Sequence, residues 1–362
     1  MNILLIIGTR PNFIKITRFK EVAEKFSNIV LKIVHTGQHY DTTMADVFFE
    51  QFNLIPDYFL NVGTGSPNFQ IADIMLKLEN LITTKFKPDL ILVVGDVNST
   101  LAGALTANKL HIKLAHIESG LRSFDTTMPE EHNRVLTDKI CDLYFVTEPS
   151  GIENLRNENV PTEKIKFVGN TMIDTLVSFS EKIEKSDVLD KLNLVSKEFV
   201  LTTIHRPATV DFEDELKKLI QLFESITKKY KIVFPIHPRT VNNLKKFNLY
   251  DALIQNKNLI ITEPLDYFAF QKLIKYSKFI ITDSGGIQEE STFLQVPCLT
   301  LRNNTERPVT CTDGTNTLVK FDMKEINKLI TEIENGTYKK GKIPELWDGH
   351  ATERIFAELA AL

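Results

Sequence analysis

The chain is a series of short apolar segments, each followed by a turn and a segment with helical period. In the amino-terminal half, the apolar segments are NILLIIG, LKIVHTG, DLILVVGD, KLAHIES, DLYFVTE and KIKFVGN. They are apolar throughout rather than alternating, which is typical of parallel strands that helices cover on both faces. Repetition of strand, helix and strand in this way predicts a doubly wound α/β sheet.

The same order of elements starts again in the carboxyl-terminal half. The predicted strands there are EFVLTTIH, KIVFPIH, NLIITEP, KFIITDSGG and PCLTLR, with helices such as FEDELKKLIQLFESITKKY and YFAFQKLIKYS between them. A length of 362 residues suits two domains. We predict one domain at 1–172 and another at 173–362, linked by a Lys/Glu-rich helical stretch. The last helix, HATERIFAELAAL, is expected to close the second domain or to cross back to the first.

Composition and charge exclude several classes of protein. The net charge is −4 with both signs interspersed, whereas a nucleic-acid partner would require a basic face. No apolar run approaches the roughly 20 residues of a membrane span, and MNILLIIGTRP lacks the features of a signal peptide. The cysteines Cys141, Cys298 and Cys311 show neither disulfide nor metal-ligand spacing. We therefore expect a cytoplasmic protein with no nucleic-acid or membrane partner.

Polar residues follow one predicted strand after another, where open α/β sheets bind their ligands. They are Arg10, His39, Asp96, Glu118, His205, His237, Ser284 and Arg307. GTRPNFIK places Arg10 and Lys15 around the first strand–helix turn, where free N–H groups favour an anion. These cations indicate a phosphate or carboxylate site, or else a solvated turn. The G-x-G-x-x-G pattern is absent, so no tightly bound dinucleotide is expected there.

Carboxylates are predicted to converge in the amino-terminal half. Asp96 and Glu118 end neighbouring strands, and Glu130 and Glu131 follow on the loop before NRVLTDK. Asp96 alone would suit a helix cap, and one of Glu130 and Glu131 is expected to cap the next helix. Grouped carboxylates raise each other's pKa values and can divide acid from base roles. The cations placed to keep some of them ionised are Arg122 and Arg134. The pattern predicts a proton-transfer site.

The carboxyl-terminal half carries residues suited to a nucleotide. His205 in IHRP is predicted to bind an anion or to exchange protons, and His237 in PIHPRT has this role or a structural one. In ITDSGGIQEES, the turn at 284–286 presents N–H groups that suit a phosphate. Glu290 is placed to accept hydrogen bonds from sugar hydroxyls such as those of ribose. Phe270 either supplies an aromatic face for a base or packs in the core.

The ordered set of motifs resembles the non-hydrolysing UDP-N-acetylglucosamine 2-epimerases. It comprises GTRP..IK, VVGDVNST, HIESGLRS, MPEEHNR, HR, DSGGIQEE and TERP, in the family's order and spacing over essentially the whole chain. The resemblance implies the GT-B fold, with two Rossmann-like domains around a nucleotide-sugar cleft, and a homodimer. It implies that UDP-N-acetylglucosamine (UDP-GlcNAc) and UDP-N-acetylmannosamine interconvert by anti elimination of UDP to a 2-acetamidoglucal and re-addition, without a cofactor.

The resemblance also implies a role for each matching residue. The residues on the sugar side are Arg10, Lys15, Asp96, Glu118, Glu130 and Arg134. The diphosphate is held by His205 and by the turn of Ser284, Gly285 and Gly286. Glu290 binds the ribose, Phe270 lies by the uracil and Arg307 contacts the nucleotide side. The catalytic set is Asp96, Glu118, Glu130 and His205, in which the base and the acid are not distinguished. Glu131 and His132 are expected to be structural.

Several stretches depart from the family pattern. Asn12 and Phe13 replace Glu and Ala of many members, and Leu265 replaces a Gln that contacts the base. QHYDTTMADVFF (38–49) and IHPRT stand where regulated members bind a second, activating substrate molecule, so we expect no such activation. RPNFIK, GLRSFDTTMPEE and HPRT resemble relatives that act on UDP-2,3-diacetamido-2,3-dideoxyglucuronate. The substituents at C3 and C6 of the sugar therefore stay open.

Two further functions fit parts of this pattern. A GT-B glycosyltransferase would use the same UDP site but would need an acceptor groove rather than a carboxylate cluster. A catalytically silent nucleotide-sugar sensor would be expected to have lost Asp96, Glu118 or Glu130, and all three are present.

Overall fold

The computed structural model describes residues 1–37 and 51–362. The predictions for His39 and for QHYDTTMADVFF (38–49) concern residues outside those ranges. The described chain forms two compact units, which we call unit 1 (1–177 with 345–362) and unit 2 (178–344). Within the two described ranges, no helix is both long enough and apolar enough to span a bilayer.

Unit 1 contains a sheet whose strands all pair in parallel, in the order β3-β2-β1-β4-β5-β6-β7. These strands are β1 (Asn2–Ile7), β2 (Val30–His35), β3 (Tyr58–Phe59), β4 (Leu90–Val94), β5 (Lys113–Ile117), β6 (Leu143–Val146) and β7 (Ile165–Phe167). The described helices between them are α1 (Arg10–Ile14), α2 (Phe19–Ala23), α3 (Pro67–Thr84), α4 (Asn98–Lys109), α5 (Pro129–Lys139) and α6 (Pro149–Asn157). A 3₁₀ turn covers Thr162–Lys164, and α7 (Thr171–Ser178) follows β7.

The first helical region is divided, although FIKITRFKEVAEKF reads as one helix. α1 ends at Ile14 and α2 begins at Phe19. The Thr175 hydroxyl donates a hydrogen bond to the Ile14 carbonyl, which a continuous helix would pair with the N–H of Arg18. Thr17 is buried and its hydroxyl lies 2.6 Å from that of Thr175. A tertiary contact from α7 therefore replaces the helical hydrogen bond and ends the first helix.

Unit 2 has a second parallel sheet in the order β10-β9-β8-β11-β12-β13. Its strands are β8 (Phe199–Thr203), β9 (Lys231–Pro235), β10 (Leu259–Thr262), β11 (Phe279–Thr282), β12 (Cys298–Thr300) and β13 (Asn316–Leu318). Its helices are α8 (Ser180–Lys185), α9 (Val188–Lys191), α10 (Pro207–Val210), α11 (Glu213–Ile226), α12 (Pro238–Lys246), α13 (Tyr250–Ile254), α14 (Tyr267–Tyr276), α15 (Gly285–Phe293), α16 (Val309–Thr312) and α17 (Met323–Glu334). The last helix of the chain, α18 (Ala351–Ala360), belongs to unit 1.

The continuous apolar character of the strands follows from burial on both faces of each sheet. In β11, Phe279 and Ile281 belong to one core cluster of unit 2, and Ile280 between them belongs to another. In β1, residues 3–7 are all at most 1% exposed. Helices on both sides of a parallel sheet remove the alternation that one solvated face would impose. The predicted class, with two doubly wound parallel sheets, is confirmed.

The last helix is tied into unit 1 by a buried carboxylate. Asp174 in α7 accepts hydrogen bonds from the N–H groups of Ala351 and Thr352 at 3.0 and 2.6 Å, and so caps the start of α18. Phe356 packs edge-on against Phe19 with 5.5 Å between ring centroids. The chain passes from unit 1 to unit 2 between residues 177 and 178 and returns to unit 1 between residues 344 and 345. The sequence predicted a single boundary between residues 172 and 173.

Each sheet has one position at which the strand order reverses. In unit 1 this switch point lies between β1 and β4, and in unit 2 it lies between β8 and β11. The loops after those strands diverge above the carboxyl edge of the sheet, which is where open α/β sheets bind ligands. The predicted site residues follow these strands in both units.

Candidate active site

The turn after β1 is one wall of the switch point in unit 1. Gly8 leaves no room for a side chain there, because a Cβ would lie 2.0 Å from the Ser99 hydroxyl oxygen. α1 begins at Arg10 and has Pro11 in its first turn. Arg10 is exposed and Lys15 is buried. Of the two predicted cations, Arg10 is therefore accessible to an anion from solvent, and Lys15 is directed into the protein.

Lys15 forms a buried ion pair with Glu118. Lys15 Nζ lies 2.6 Å from Glu118 Oε2, with side-chain exposures of 7% and 2%. Glu118 follows β5 in the left-handed region, at φ 69°, which is costly for a residue other than glycine. The pair also lies against Gly95, on which a Cβ would be 3.3 Å from Lys15 Nζ and 3.8 Å from Glu118 Oε2. The turn after β4 thus contacts the carboxylate that follows β5.

Arg134 connects the Asp96 carboxylate with Glu131 at the start of α5. Its guanidinium donates to Asp96 Oδ2 and to Glu131 Oε2, each at 2.6 Å. Arg134 is buried, whereas the Asp96 side chain is 24% exposed. Asp96 is therefore held by a cation on one side and remains accessible on the other.

Glu131 anchors the loop that leads to α5. Its carboxylate accepts the N–H and hydroxyl of Ser123 and the N–H of Phe124, each at 2.9 Å. Phe124 has φ 57° and an exposure of 77%. Glu131 is thus a structural residue, as predicted. Its neighbour Glu130 lies in the first turn of α5 and is exposed, and its side chain forms no hydrogen bond or ion pair with any described residue.

Arg122 does not hold the predicted carboxylates, so that expectation was wrong. It pairs with Asp138 at 2.7 Å and with Glu158 at 2.9 Å. Asp138 also contacts His116, Nδ1 to Oδ1, at 2.7 Å. Burial alone would raise the pKa of Asp138, but His116 and Arg122 hold that pKa below its ordinary value. The sequence reasoning missed His116 and Asp138. The available signal was a histidine inside an apolar strand, which requires a buried partner.

Asn12, a departure from the family pattern, is also buried in this part of unit 1. Its carbonyl oxygen accepts hydrogen bonds from the Gly8 N–H at 3.3 Å and the Thr9 hydroxyl at 3.1 Å. Its amide donates to the Val94 carbonyl at 3.1 Å. Asn12 therefore joins the turn after β1 to the end of β4, on the two sides of the switch point.

In unit 2, His205 stands at the end of β8 above a buried aspartate. Asp283 accepts the N–H groups of His205 and Arg206, at 2.9 and 2.7 Å, and lies 3.1 Å from His205 Nδ1. Burial alone would raise the pKa of Asp283, but His205 and these N–H donors hold that pKa below its ordinary value. The His205 side chain is 40% exposed. Asp283 thus orients His205 and keeps its other ring nitrogen available for a ligand.

The turn after β11 presents the start of α15. Ser284 is the residue before the helix and Gly285 its first residue. Gly285 must lack a side chain, since a Cβ would lie 2.7 Å from Glu306 Oε1 and 3.3 Å from an Arg307 nitrogen. Arg307 also pairs with Glu289 at 2.8 Å, and its side chain is 7% exposed. The predicted nucleotide-side arginine therefore lies directly behind the predicted phosphate turn, between two carboxylates.

Glu290 and Phe270 lie on α15 and α14. Glu290 is buried, and burial together with this carboxylate raises the pKa of the Tyr267 hydroxyl well above its ordinary value. Phe270 is half-buried and packs against a core cluster of unit 2. The core-packing interpretation of Phe270 is thus supported, while part of its ring remains accessible.

His237 is close to His205, with 5.5 Å between their ring centroids. Its Nδ1 accepts the N–H of Arg239 at 3.1 Å, so it caps α12. Burial and His205 lower the pKa of His237. A charged cavity of about 570 Å³ lies beyond it, lined by Asp211, Arg239, Asn242, Asn243 and Lys246. Within 1–37 and 51–362, no group of three histidine, cysteine or acidic residues is arranged to hold a metal ion.

Comparison with known proteins gives consistent matches over the whole chain. A family model described as UDP-N-acetylglucosamine 2-epimerase matches residues 21–360. The UDP-N-acetylglucosamine 2-epimerase of Methanocaldococcus jannaschii is 44% identical over 361 residues, which cover 98% of both chains. A crystal structure of that organism's UDP-GlcNAc 2-epimerase in complex with UDP-GlcNAc and UDP has a TM-score of 0.89 at 42% identity, with full coverage of both chains. The UDP-2,3-diacetamido-2,3-dideoxy-D-glucuronate 2-epimerase of Pseudomonas aeruginosa is 38% identical over 324 residues, 88% of each chain.

Proposed function

The chain belongs to the UDP-N-acetylglucosamine 2-epimerase family, and from that premise we propose that it interconverts UDP-GlcNAc and UDP-N-acetylmannosamine. As an epimerase it is an isomerase. The proposal is carried by two carboxylates at the switch point of unit 1. Asp96 forms an ion pair with Arg134, and Glu118 forms an ion pair with Lys15. Inversion at C2 requires a proton to leave one face and return to the other, and so requires placed acid–base groups.

The hydrogen on C2 of a sugar is barely acidic, so its removal must accompany departure of a good leaving group. In the proposed reaction a carboxylate takes the C2 proton, and the C–H electron pair becomes the C1=C2 double bond. The C1–O bond breaks on the opposite face, and UDP leaves with its electrons. Return of a proton to the other face of C2 and re-addition of UDP oxygen to C1 complete the inversion. Atoms and charge balance without a redox cofactor.

The geometry of unit 1 suits the proton transfers. Glu118 and Asp96 each contact a cation at 2.6 Å, and these short charge-assisted contacts fix the position of each carboxylate. Glu130 is exposed, and among the described residues nothing restrains its carboxylate, so it suits proton exchange with solvent. We assign Asp96, Glu118 and Glu130 to the acid–base set without dividing the two roles. Arg10, exposed at the start of α1, is assigned to the anionic part of the substrate.

Unit 2 supplies donors that suit the leaving UDP. His205 and the N–H groups of the turn at 284–286 are assigned to the diphosphate, whose charge grows as the C1–O bond breaks. Glu290 is assigned to the ribose hydroxyls, and the exposed part of Phe270 to the uracil. Arg307 is placed on the nucleotide side as the residue that supports the turn, because its guanidinium lies behind Gly285.

A second candidate substrate is UDP-2,3-diacetamido-2,3-dideoxyglucuronate. It is favoured by the 38% identity with the P. aeruginosa enzyme named for that sugar. The same C2 chemistry serves both substrates, which differ at C3 and C6. A GT-B glycosyltransferase is less well supported, since sugar transfer does not require an acid–base cluster beside C2.

The deciding experiment is incubation of the protein with each UDP-sugar in heavy water. Deuterium at C2 together with a manno-configured product identifies an epimerase, and the faster substrate identifies the sugar. Release of UDP to an acceptor without C2 exchange would identify a transferase. Binding of UDP without either change would identify a sensor. Absence of C2 exchange for both sugars, in protein that binds UDP, would contradict the proposal.

The remaining assignments concern the setting of the enzyme. We propose a homodimer that acts in the cytoplasm. We also propose that it serves polysaccharide biosynthesis, because nucleotide sugars are the activated donors for that synthesis. Light scattering coupled to size-exclusion chromatography tests the dimer directly. A mass near the chain's 41.3 kDa at micromolar concentration would contradict it.

A further inference from the structure

We propose that His116 and Asp138 are positioning residues for epimerisation. They form a buried pair that holds the loops carrying Asp96 and Glu118 at a set distance from each other. The inference rests on the proposed catalytic roles of those two carboxylates. The sequence motifs did not indicate a role for either residue. Both side chains are 1% exposed, so neither can contact a substrate.

His116 connects β5 with the turn after β4. Its Nε2 lies 2.8 Å from the Gly95 carbonyl oxygen, and Gly95 immediately precedes Asp96. Gly95 has φ 70°, a left-handed conformation that glycine adopts readily, and its carbonyl oxygen faces the His116 ring. The contact with His116 gives this carbonyl a partner in the interior. Movement of the His116 ring therefore shifts the backbone from which the Asp96 carboxylate extends.

Asp138 completes the connection from the other side. Its Oδ1 contacts His116 Nδ1 at 2.7 Å, and its Oδ2 accepts the Gly120 N–H at 3.0 Å. Gly120 lies two residues after Glu118, at φ 78° and against the Gly151 carbonyl, where a Cβ would be 2.3 Å away. The chain from Gly95 through His116 and Asp138 to Gly120 thus joins both catalytic loops through two side chains.

The pair is the centre of a larger buried network. Both ring nitrogens of His116 face oxygen atoms, a carboxylate at Nδ1 and a carbonyl at Nε2. Asp138 also contacts Arg122 at 2.7 Å, and Arg122 contacts Glu158 at 2.9 Å. Lys139 contacts the other carboxylate oxygen of Glu158 at 3.2 Å, so a chain of charged groups supports the pair beneath the loops.

The expected effect is on turnover rather than on affinity. Misplacement of a catalytic group by about 1 Å can cost about 10²-fold in rate. The pair contacts the backbone of the catalytic loops but is not exposed, so loss of it leaves the residues assigned to UDP unchanged. A role in general stability, by contrast, would lower the amount of folded enzyme without changing the turnover of each folded molecule.

The test compares His116→Gln, His116→Asn and Asp138→Asn. A glutamine amide reaches the position of Nε2 and can still donate to Gly95, whereas an asparagine amide reaches only the position of Nδ1. We expect His116→Asn and Asp138→Asn to lower kcat about 10²-fold, and His116→Gln about tenfold. KM and the Kd for UDP should stay within about threefold of the wild-type values.

The matched control is Leu78→Ala, which opens a cavity in the core of unit 1 at a residue of α3 outside the proposed catalytic and positioning sets. It should lower Tm as much as the histidine variants while kcat per folded molecule stays at the wild-type value. Wild-type kcat in the His116 variants, or a loss no greater than that in Leu78→Ala, would overturn the inference. Wild-type protein without C2 exchange would instead contradict the proposed function.

If the variants do not fold, a measurement on the wild-type protein still tests the inference. In protein labelled with ¹⁵N and ¹³C, couplings across hydrogen bonds should connect His116 Nδ1 with the Asp138 carboxylate and His116 Nε2 with the Gly95 carbonyl. Absence of either coupling in the folded protein would overturn the two-sided connection.

Discussion

The two units hold their polar residues in opposite ways. In unit 1 the carboxylates are the proposed reacting groups, and buried or nearly buried cations, Lys15 and Arg134, hold them from behind. In unit 2 the exposed group is a histidine, and the buried group behind it is a carboxylate, Asp283. Cations thus lie behind carboxylates in unit 1, whereas a carboxylate lies behind a histidine in unit 2. In the proposed reaction, unit 1 accepts protons and unit 2 donates hydrogen bonds to an anion.

The largest expected effect is loss of turnover when a carboxylate of unit 1 is made neutral. Asp96→Asn or Glu118→Gln should lower kcat by 10³-fold or more, because an amide cannot accept the C2 proton. The Kd for UDP should change little, since the UDP-binding residues are assigned to unit 2. The measurements are deuterium incorporation at C2 and calorimetric titration with UDP. Wild-type exchange in either variant would remove that residue from the catalytic set.

The next effect concerns the ion pair behind Glu118. Lys15→Met should lower the free energy of unfolding by about 3–5 kcal/mol, because it leaves a buried carboxylate without its cation. Addition of Glu118→Gln should recover part of the loss, since no unpaired charge is then buried. Urea unfolding of the single and double variants measures both terms.

The control is Arg239→Met in unit 2. Arg239 pairs with Asp211 on the surface, with side-chain exposures of 44% and 31%. Exposed pairs contribute about 1 kcal/mol or less. A loss from Arg239→Met equal to that from Lys15→Met would show that burial does not distinguish the two pairs.

His205 tests the other half of the comparison. His205→Asn removes the ring nitrogen proposed to face the diphosphate and should weaken UDP binding about tenfold, or about 1.4 kcal/mol. kcat should fall as well, because the same donor stabilises departing UDP. Calorimetric titration with UDP measures the first effect. An unchanged Kd would show that the donors of unit 2 do not bind the diphosphate through His205.

The smallest effect is on the pH dependence of stability. The pKa values of Asp138 and Asp283 are lowered in the folded protein, so their contribution is present above their unfolded pKa of about 3.9 and is lost as pH falls through the lowered values. The pKa of Asp174 is raised, chiefly by burial, so its contribution has the opposite sign and is lost as pH rises through that raised value. Asp283→Asn should therefore flatten the acid side of a urea-midpoint profile, and Asp174→Asn should steepen it. Equal slopes in both variants would contradict these directions.

Most of the strands, and the positions of the candidate site residues relative to them, could be predicted from local pattern. Apolar runs predicted the main strands of both sheets because burial on both faces leaves a continuous apolar signal. The short strands β3 and β13 were missed, since β3 has only two residues and β13 begins with the polar Asn316 and Thr317 rather than with an apolar run. The pattern also placed Asp96, Glu118, His205 and Ser284 after the carboxyl ends of strands, where the structure has them and where ligands bind in this class of sheet.

The sequence by itself determined the class of sheet, the residues at its carboxyl edge and the family to which the chain belongs. Only the tertiary structure decided which charges pair. Lys15 pairs with Glu118, which is 103 residues away in the chain. Arg122 pairs with Asp138, although Glu118 and Glu130 are nearer to Arg122 in sequence. Pairing over such distances depends on strand order and on the direction of each loop, which no local pattern encodes. The same holds for α18, whose start is capped by Asp174, 177 residues earlier in the chain.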